Sequence, residues 1–337
     1  MKMRDVVLNQ IRHRETPEVP YTLPLEEEVA ERVDAHYGNA DWRKKIKPYI
    51  IGVAAVDTDP KTPIDSQFAR DEYGGIWRQD MRPWHLEKPP LAEPSFAGYE
   101  FPKPEIFYRP ESKKMALRTC AENKDSFIYG SLGWGLFERS WNLRGFENVL
   151  IDSIMEPEFF EEMLDKLMNL YLAFVEYTAD LPIDAILFGD DWGDQRGVII
   201  GPERWRKFLK PRWAKIYNAV HSHGKIVMAH SCGSVTEIVP DLIEIGLDVL
   251  ESVQPEAEGM NPYELKKKFG KNICFWGCLG SQSTIPRGTP AEIQAEIRKL
   301  RREMSCGGGY ILAPAKPLQP ETPTENAVAT IEAFTTD

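Results

Sequence analysis

His230, Cys232 and Cys278 each stand just past an apolar, strand-like run. KIVMA (225–229) precedes the first two and ICFWG (273–277) the third, while LDVL (247–250) leads directly into Glu251. In a strand-like extension His230 and Cys232 point to the same side, so both can reach one ion, and Gly233 then lets the backbone turn tightly. Two thiols, an imidazole and a carboxylate are the ligand set that Zn²⁺ prefers. The competing reading of each is plain packing, the usual fate of a cysteine beside a strand.

Carboxylates extend the constellation. Asp190 and Asp191 close the run DAILFGDDWG (184–193), with Asp194 close behind. Paired acids at a strand end bind a cation, raise one another's pKa for proton transfer, or cap a following helix. Glu251 is a candidate fourth ligand or general acid/base, and Asp57, after IIGVAAV, is a candidate for the same pocket. Trp134, Phe137, Trp141, Trp192 and Trp276 crowd the same ends and suit either an apolar wall for a planar substrate or closure of the mouth. Arg139 and Arg144 are able to grip a carboxylate bidentately, or to form ion pairs within the protein. Lys316, just past the last strand-like run, shares that rim.

These residues need a frame that gathers strand ends on one face. From about residue 125 the chain alternates strand-like and helical patterns. FIYGSLGW (127–134) reads as a strand and 156–180 as a long amphipathic helix, with Phe160, Met163, Leu164, Leu167, Tyr171 and Phe174 at three- and four-residue steps. Another helix runs from Pro202 to Gly224. Four strand–helix units follow: 225–230 with 233–245, 247–251 with 262–269, 272–277 with 290–305, and 309–314 with 323–334. Asn261, Thr289 and Thr322 each precede a proline and then a Glu, the pattern of a capped helix start. Alternation of this kind means parallel strands with right-handed crossovers. The expected fold is α/β, a (β/α)8 TIM barrel over residues 116–337, with residues 1–115 as an irregular Pro-rich extension packed on it. An open doubly wound sheet is the alternative, although no Gly-rich phosphate loop follows any strand.

Residues 1–110 carry half of the 26 prolines, yet Trp42, Trp77 and Trp84 mark that stretch as folded. A net charge of −11 argues against a nucleic-acid or anionic-membrane surface. The start of the chain lacks the apolar core of a secretory signal, and no apolar run is long enough to span a membrane, so a cytoplasmic location is expected. The five cysteines are scattered, which favours buried thiols or metal ligands over disulfides. Among them Cys306 precedes its strand and belongs at the opposite end of the barrel, and Cys274 reads as core.

HSCGSVTEIVPDLIEIGLDVLESVQPEAEGM, FWGCLGSQSTIPRGTPAEI and GGGYILAPAKPLQPETPTEN resemble the C-terminal half of the uroporphyrinogen decarboxylase superfamily, and DAILFGDDWGDQ and LRGFENVLID carry the likeness back to about residue 125. That resemblance implies an α/β barrel. The superfamily also contains zinc-dependent methyltransferases that work with corrinoid proteins. Porphyrinogen decarboxylases carry an arginine-rich RQAGR segment near the N-terminus, whereas this chain reads RHRETPEVPYTLPL there. The His-x-Cys pair of the methyltransferase branch carries over to His230 and Cys232. Its third ligand, a cysteine after the last strand, is replaced by Lys316, and Cys278 is expected to supply the missing thiolate.

The resemblance thus implies a methyltransferase of a demethylating system, moving a methyl group from a methoxylated aromatic or another small donor to a corrinoid (cobalamin) carried by a partner protein. Zinc on His230, Cys232 and Cys278 would polarise the ether oxygen. Asp190, Asp191 or Glu251 would complete the coordination or deliver a proton, and Trp134, Phe137, Arg139, Trp192, Trp276 and Lys316 would bind substrate. A metal-free lyase acting on a carboxylated substrate, and a non-catalytic corrinoid- or tetrapyrrole-binding barrel, are the alternatives. A homodimer is compatible with each.

Overall fold

The computed structural model describes residues 1–81 and 83–336. Among the described residues eleven strands appear in chain order: β1 (Ile50–Val53), β2 (Lys61–Pro63), β3 (Phe68–Asp71), β4 (Ile76–Arg78), β5 (His85–Lys88), β6 (Phe127–Trp134), β7 (Ala185–Gly189), β8 (Ile226–His230), β9 (Val249–Val253), β10 (Cys274–Leu279) and β11 (Tyr310–Pro314). Seven of them form one parallel sheet in the order β1-β6-β7-β8-β9-β10-β11. The gap between β11 and β1 is filled by the chain around Tyr21. Thr22 N donates to Leu312 O and Leu312 N to Pro20 O, a parallel bridge, while Lys47 N donates to the Tyr21 hydroxyl at 3.0 Å. The sheet therefore curls into a barrel with eight strand positions, one reduced to a bridge.

That arrangement redraws the boundary expected at 115/116. Residues 1–115 supply β1 and the closing stretch at Tyr21, so the barrel cannot be cut there without opening its sheet. What remains outside is a small antiparallel sheet, β2-β3-β4-β5, pinned by Asp71, which accepts Gly75 N and Trp77 Nε1.

Apolar periodicity explains the outer layer. The helix Pro157–Ala179 buries Phe160, Met163, Leu164, Leu167, Tyr171 and Phe174, the residues spaced at helical steps. Asn261 caps Pro262–Phe269, and Thr289 with Glu292 closes a reciprocal capping box on Pro290–Met304. The third expected cap does not form: the helix Thr324–Thr335 starts after Pro323, and the buried Thr322 lies before it. Inside the barrel Tyr129 and Trp276 meet edge to face at 6.1 Å. Gly52 on β1 makes room for the Tyr129 ring, since a Cβ there would lie 2.7 Å from its hydroxyl.

Among the described residues no helix is long and apolar enough to cross a membrane.

Candidate metal centre

Parallel pairing brings the ends of β7, β8 and β9 into one row. Gly189 is in register with His230, and His230 with Glu251. Beyond the strands, the loops after β7 and β8 approach so closely that only glycine fits. A Cβ on Gly233 would lie 2.4 Å from Gly193 O, one on Gly193 would lie 2.6 Å from Ser234 O, and Gly233 also has φ +76°. Ser234 N donates to Asp194 O and Trp192 N to Ser231 Oγ, locking the two loops together.

The result is a compact donor set. Cys232 Sγ lies 3.4 Å from His230 Nε2, and Asp191 Oδ1 lies 3.5 Å from the same nitrogen. Asp191 Oδ1 is held in place by the Cys232 backbone N–H at 2.8 Å. One donor atom each from Asp191, His230 and Cys232 falls within 4.8 Å of the others, the spacing that a single ion requires. Behind them Glu251 Oε2 hydrogen-bonds His230 Nδ1. A carboxylate on the far nitrogen fixes ring orientation and tautomer, as it does for most metal-ligating histidines. Burial opposes charge on the imidazole, but Glu251 and Cys232 outweigh it and hold its pKa well above the ordinary value. A divalent cation on Nε2 would take the place of that proton. Three protein donors, a carboxylate, an imidazole and a thiol, are the number that a catalytic zinc site uses, whereas a closed structural site uses four.

Cys278 does not join this set, and its expected place among the ligands is corrected. The register shifts between Trp276 and Gly277, and both Gly277 (φ +121°) and Cys278 (φ +76°) take left-handed backbone. Alternation along β10 is broken there. The Cys278 thiol ends up buried, its pKa raised by burial, with Cys274 and with Glu296 and Lys266 of the helical layer as its charged neighbours. Among the described residues Asp191 is the third member of the group that could hold an ion.

Asp190 sits beneath the centre with its oxygens fully engaged. It accepts Phe137 N at 2.9 Å, Glu138 N at 2.9 Å, Trp192 Nε1 at 2.7 Å and Trp213 Nε1 at 3.2 Å. Burial raises its pKa to about 7 against those four donors. The geometry is that of a cap on the helix Leu136–Arg144, supplied from a different strand. Glu251, expected as ligand or acid/base, is the partner of His230 Nδ1.

Sequence reasoning missed Glu138. It occupies the third position of the helix Leu136–Arg144, and its carboxyl lies beside Asp191 and His230. Burial, followed by the charges of Asp191 and Asp190, lifts its pKa to about 8, while the Asp191 amide and His230 restrain the rise. The available signal was a Glu three residues after Gly135, the spacing of a helix start inside a stretch read only for its aromatics.

Most of the expected substrate wall is core. Phe137 and Trp192 are fully buried, and Trp192 packs edge-on against Trp205 and Trp213. Trp276 is nearly buried and donates to Thr22 Oγ1, while Trp134 keeps 39 % of its surface exposed. Arg139 is fully buried, paired with Asp59 at 3.1 Å, and Arg144 makes a buried ion pair with Asp152 at 2.7 Å. Lys316 is exposed, Asp57 faces Arg109 at 3.7 Å, and Asp194 caps its own loop through Arg196 N and Gly197 N.

Residues 140–336, more than half of the chain, match the family model of uroporphyrinogen decarboxylase (URO-D). The chain belongs to the uroporphyrinogen decarboxylase family. Within that family it is similar to the methylcobamide:CoM methyltransferase MtaA of Methanosarcina barkeri, at 30% identity over 184 residues, 54% of this chain and 50% of that protein. The MtaA of Methanosarcina barkeri strain Fusaro matches over the same length at the same identity. The chain thus spans about half the length of the curated relatives it matches. A methyltransferase from Methanosarcina mazei superposes with a TM-score of 0.71 and 20% identity, covering 99% of this chain and 98% of that one, so this URO-D family member shares its fold from end to end.

Proposed function

We propose that the chain is a zinc-dependent methyltransferase that moves a methyl group from a small donor, an aryl methyl ether, to a corrinoid carried by a partner protein. The observation that carries this reading is the Asp191, His230 and Cys232 donor set with Glu251 behind the histidine. Similarity to proteins named for methylcobamide and CoM supports the corrinoid. Asp191, His230 and Cys232 would hold the zinc, which would supply Lewis-acid polarisation of an ether oxygen.

The residues divide the remaining work. Glu251 keeps the His230 ring turned so that Nε2 is presented to the ion. Asp191 gives an oxygen donor where a second thiolate was expected, which makes the set harder and better matched to an oxygen leaving group. Glu138, beside Asp191, is the carboxyl in reach of a proton transfer to that oxygen. The ether C–O bond breaks as the methyl carbon passes to the reduced corrinoid cobalt, which supplies the electron pair. The oxygen takes the proton and leaves as a phenol.

Elemental analysis of anaerobically prepared protein tests the reading, together with methylcorrinoid formation from methoxylated aromatics. Stoichiometric zinc that disappears in Cys232→Ala and His230→Ala, with turnover lost in parallel, is the expected result. A metal-free protein that decarboxylates a carboxylated substrate would overturn it in favour of the lyase. Partner binding without turnover of any methyl donor would instead point to the non-catalytic barrel.

A further inference from the structure

Ser252 is a strained residue beside the metal centre with no role in the methyl transfer above. Among the described residues it is one of three non-glycine residues with positive φ, at +67°, and it lies buried in β9 directly after Glu251. A side chain makes such a backbone unfavourable, so it persists only where the surroundings impose it, often next to functional groups. Here the cause is a bulge. Trp276 pairs with Glu251 and Gly277 with Val253, so β9 advances two residues while β10 advances one, and Ser252 is left without a partner on β10. β10 can close on the bulge only with glycine: a Cβ on Gly277, itself at φ +121°, would lie 2.9 Å from Val253 N.

In a regular strand Glu251 and Ser252 would face opposite sides of the sheet. The bulge breaks that alternation, and both side chains reach the end of β8. Glu251 binds His230 Nδ1, and Ser252 Oγ lies 4.0 Å from Cys232 Sγ, a long contact in which either atom can be the donor. The hydroxyl is anchored in turn, donating to Ala315 O at 2.6 Å in the loop after β11. A hydroxyl also rotates: with its proton on Ala315 O its lone pairs accept the S–H of a thiol, and by turning it donates to a thiolate. We propose that Ser252 is the positioning residue of the Cys232 sulfur, its bulge turning the hydroxyl onto the thiol and tying that hydroxyl to the loop after β11. Its bearing on an ion rests on the zinc reading above, whereas the hold on the thiol stands on the bulge.

The full chain with Ser252→Ala or Ser252→Gly provides the test, since both variants lack the hydroxyl while only alanine keeps the backbone strain. In urea titrations of metal-free protein the glycine variant should have the higher midpoint, the reverse of the order in a regular strand. Iodoacetamide should label Cys232 of the same metal-free variants several-fold faster than that of wild type, as read by peptide mass spectrometry, because the thiol is no longer held. With Zn²⁺ and a chromophoric chelator in competition, both variants should bind the ion about tenfold more weakly. With Co²⁺ the sulfur-to-metal charge-transfer band should move alike in both, although their stabilities differ. A higher midpoint for alanine overturns the bulge. Wild-type labelling of Cys232 in both variants overturns the proposal, and so do wild-type Zn²⁺ affinity and Co²⁺ spectrum in both. Effects that follow stability, present with alanine and absent with glycine, make Ser252 a merely structural residue and overturn it as well. A wild type that takes up neither ion but shows the labelling difference keeps the hold on the thiol and removes the zinc reading.

Discussion

Glu251 binds the Nδ1 of His230, while the Nε2 of the same ring lies 3.4 Å from Cys232 Sγ. The two nitrogens of one imidazole thus join a supporting carboxylate on β9 to candidate metal donors on the loops after β7 and β8. Truncating Glu251 to alanine should leave the donors present but the ring free to turn. Zinc affinity is then expected to fall by about 10- to 100-fold, the usual cost of losing such a partner. Competition with a chromophoric chelator measures it, and an unchanged affinity would show that packing alone orients His230.

The break in alternation at Gly277 and Cys278 gives a second expectation. Cys278→Ala should keep full zinc content, because its thiol faces Glu296 and Lys266 rather than His230. Its cost is one of packing, ~1 kcal/mol for a small buried group, visible as a lower urea midpoint. Loss of zinc with this variant would put the thiol back into the site.

Asp190 should prove structural. Asp190→Asn removes one of two oxygens that together accept four donors, and sets an amide N–H₂ against them. About 2 kcal/mol of destabilisation is expected from the donors left unsatisfied in a buried place. Zinc binding at a temperature where the variant is folded should persist. A stable Asp190→Asn that lacks zinc would instead make Asp190 part of the metal chemistry.

A pH dependence away from the site follows from His221, whose Nε2 lies 2.9 Å from Asp248 Oδ2. The hydrogen bond to Asp248 raises the folded-state pKa above the ordinary 6.5, and burial opposes the shift. A raised histidine pKa stabilises the fold fully below 6.5 and ceases to do so as pH rises through the folded value. The pair is more than one-third exposed, so the effect should stay below about 1 kcal/mol after screening. Urea titrations of wild type and His221→Gln should therefore diverge below pH 6.5 and converge at alkaline pH; parallel curves would dismiss the pair.

By itself the amino-acid order determined the alternation of strands and helices from about residue 125 and the end of the barrel that carries the candidate site. β6 spans the stretch read from FIYGSLGW, and the helix Pro157–Ala179 follows the apolar steps from Phe160 to Phe174. Local rules suffice for these features, because periodicity, caps and turn glycines act over a few residues. Two members of the candidate donor set were legible for the same reason: His230 and Cys232 are two apart on one extended segment. The third was not. Whether Asp191 or Cys278 faces the histidine depends on a register shift in β10 and on the contact of Gly193 with the Gly233 loop, both set by strands far apart in sequence. Likewise, only tertiary packing decided that Asp190 caps a helix from another strand, that Glu138 stands beside Asp191, and that Arg139 is buried among tyrosines. Side-chain direction at a strand end is fixed by what the neighbouring strand and loop allow, and no local pattern encodes that.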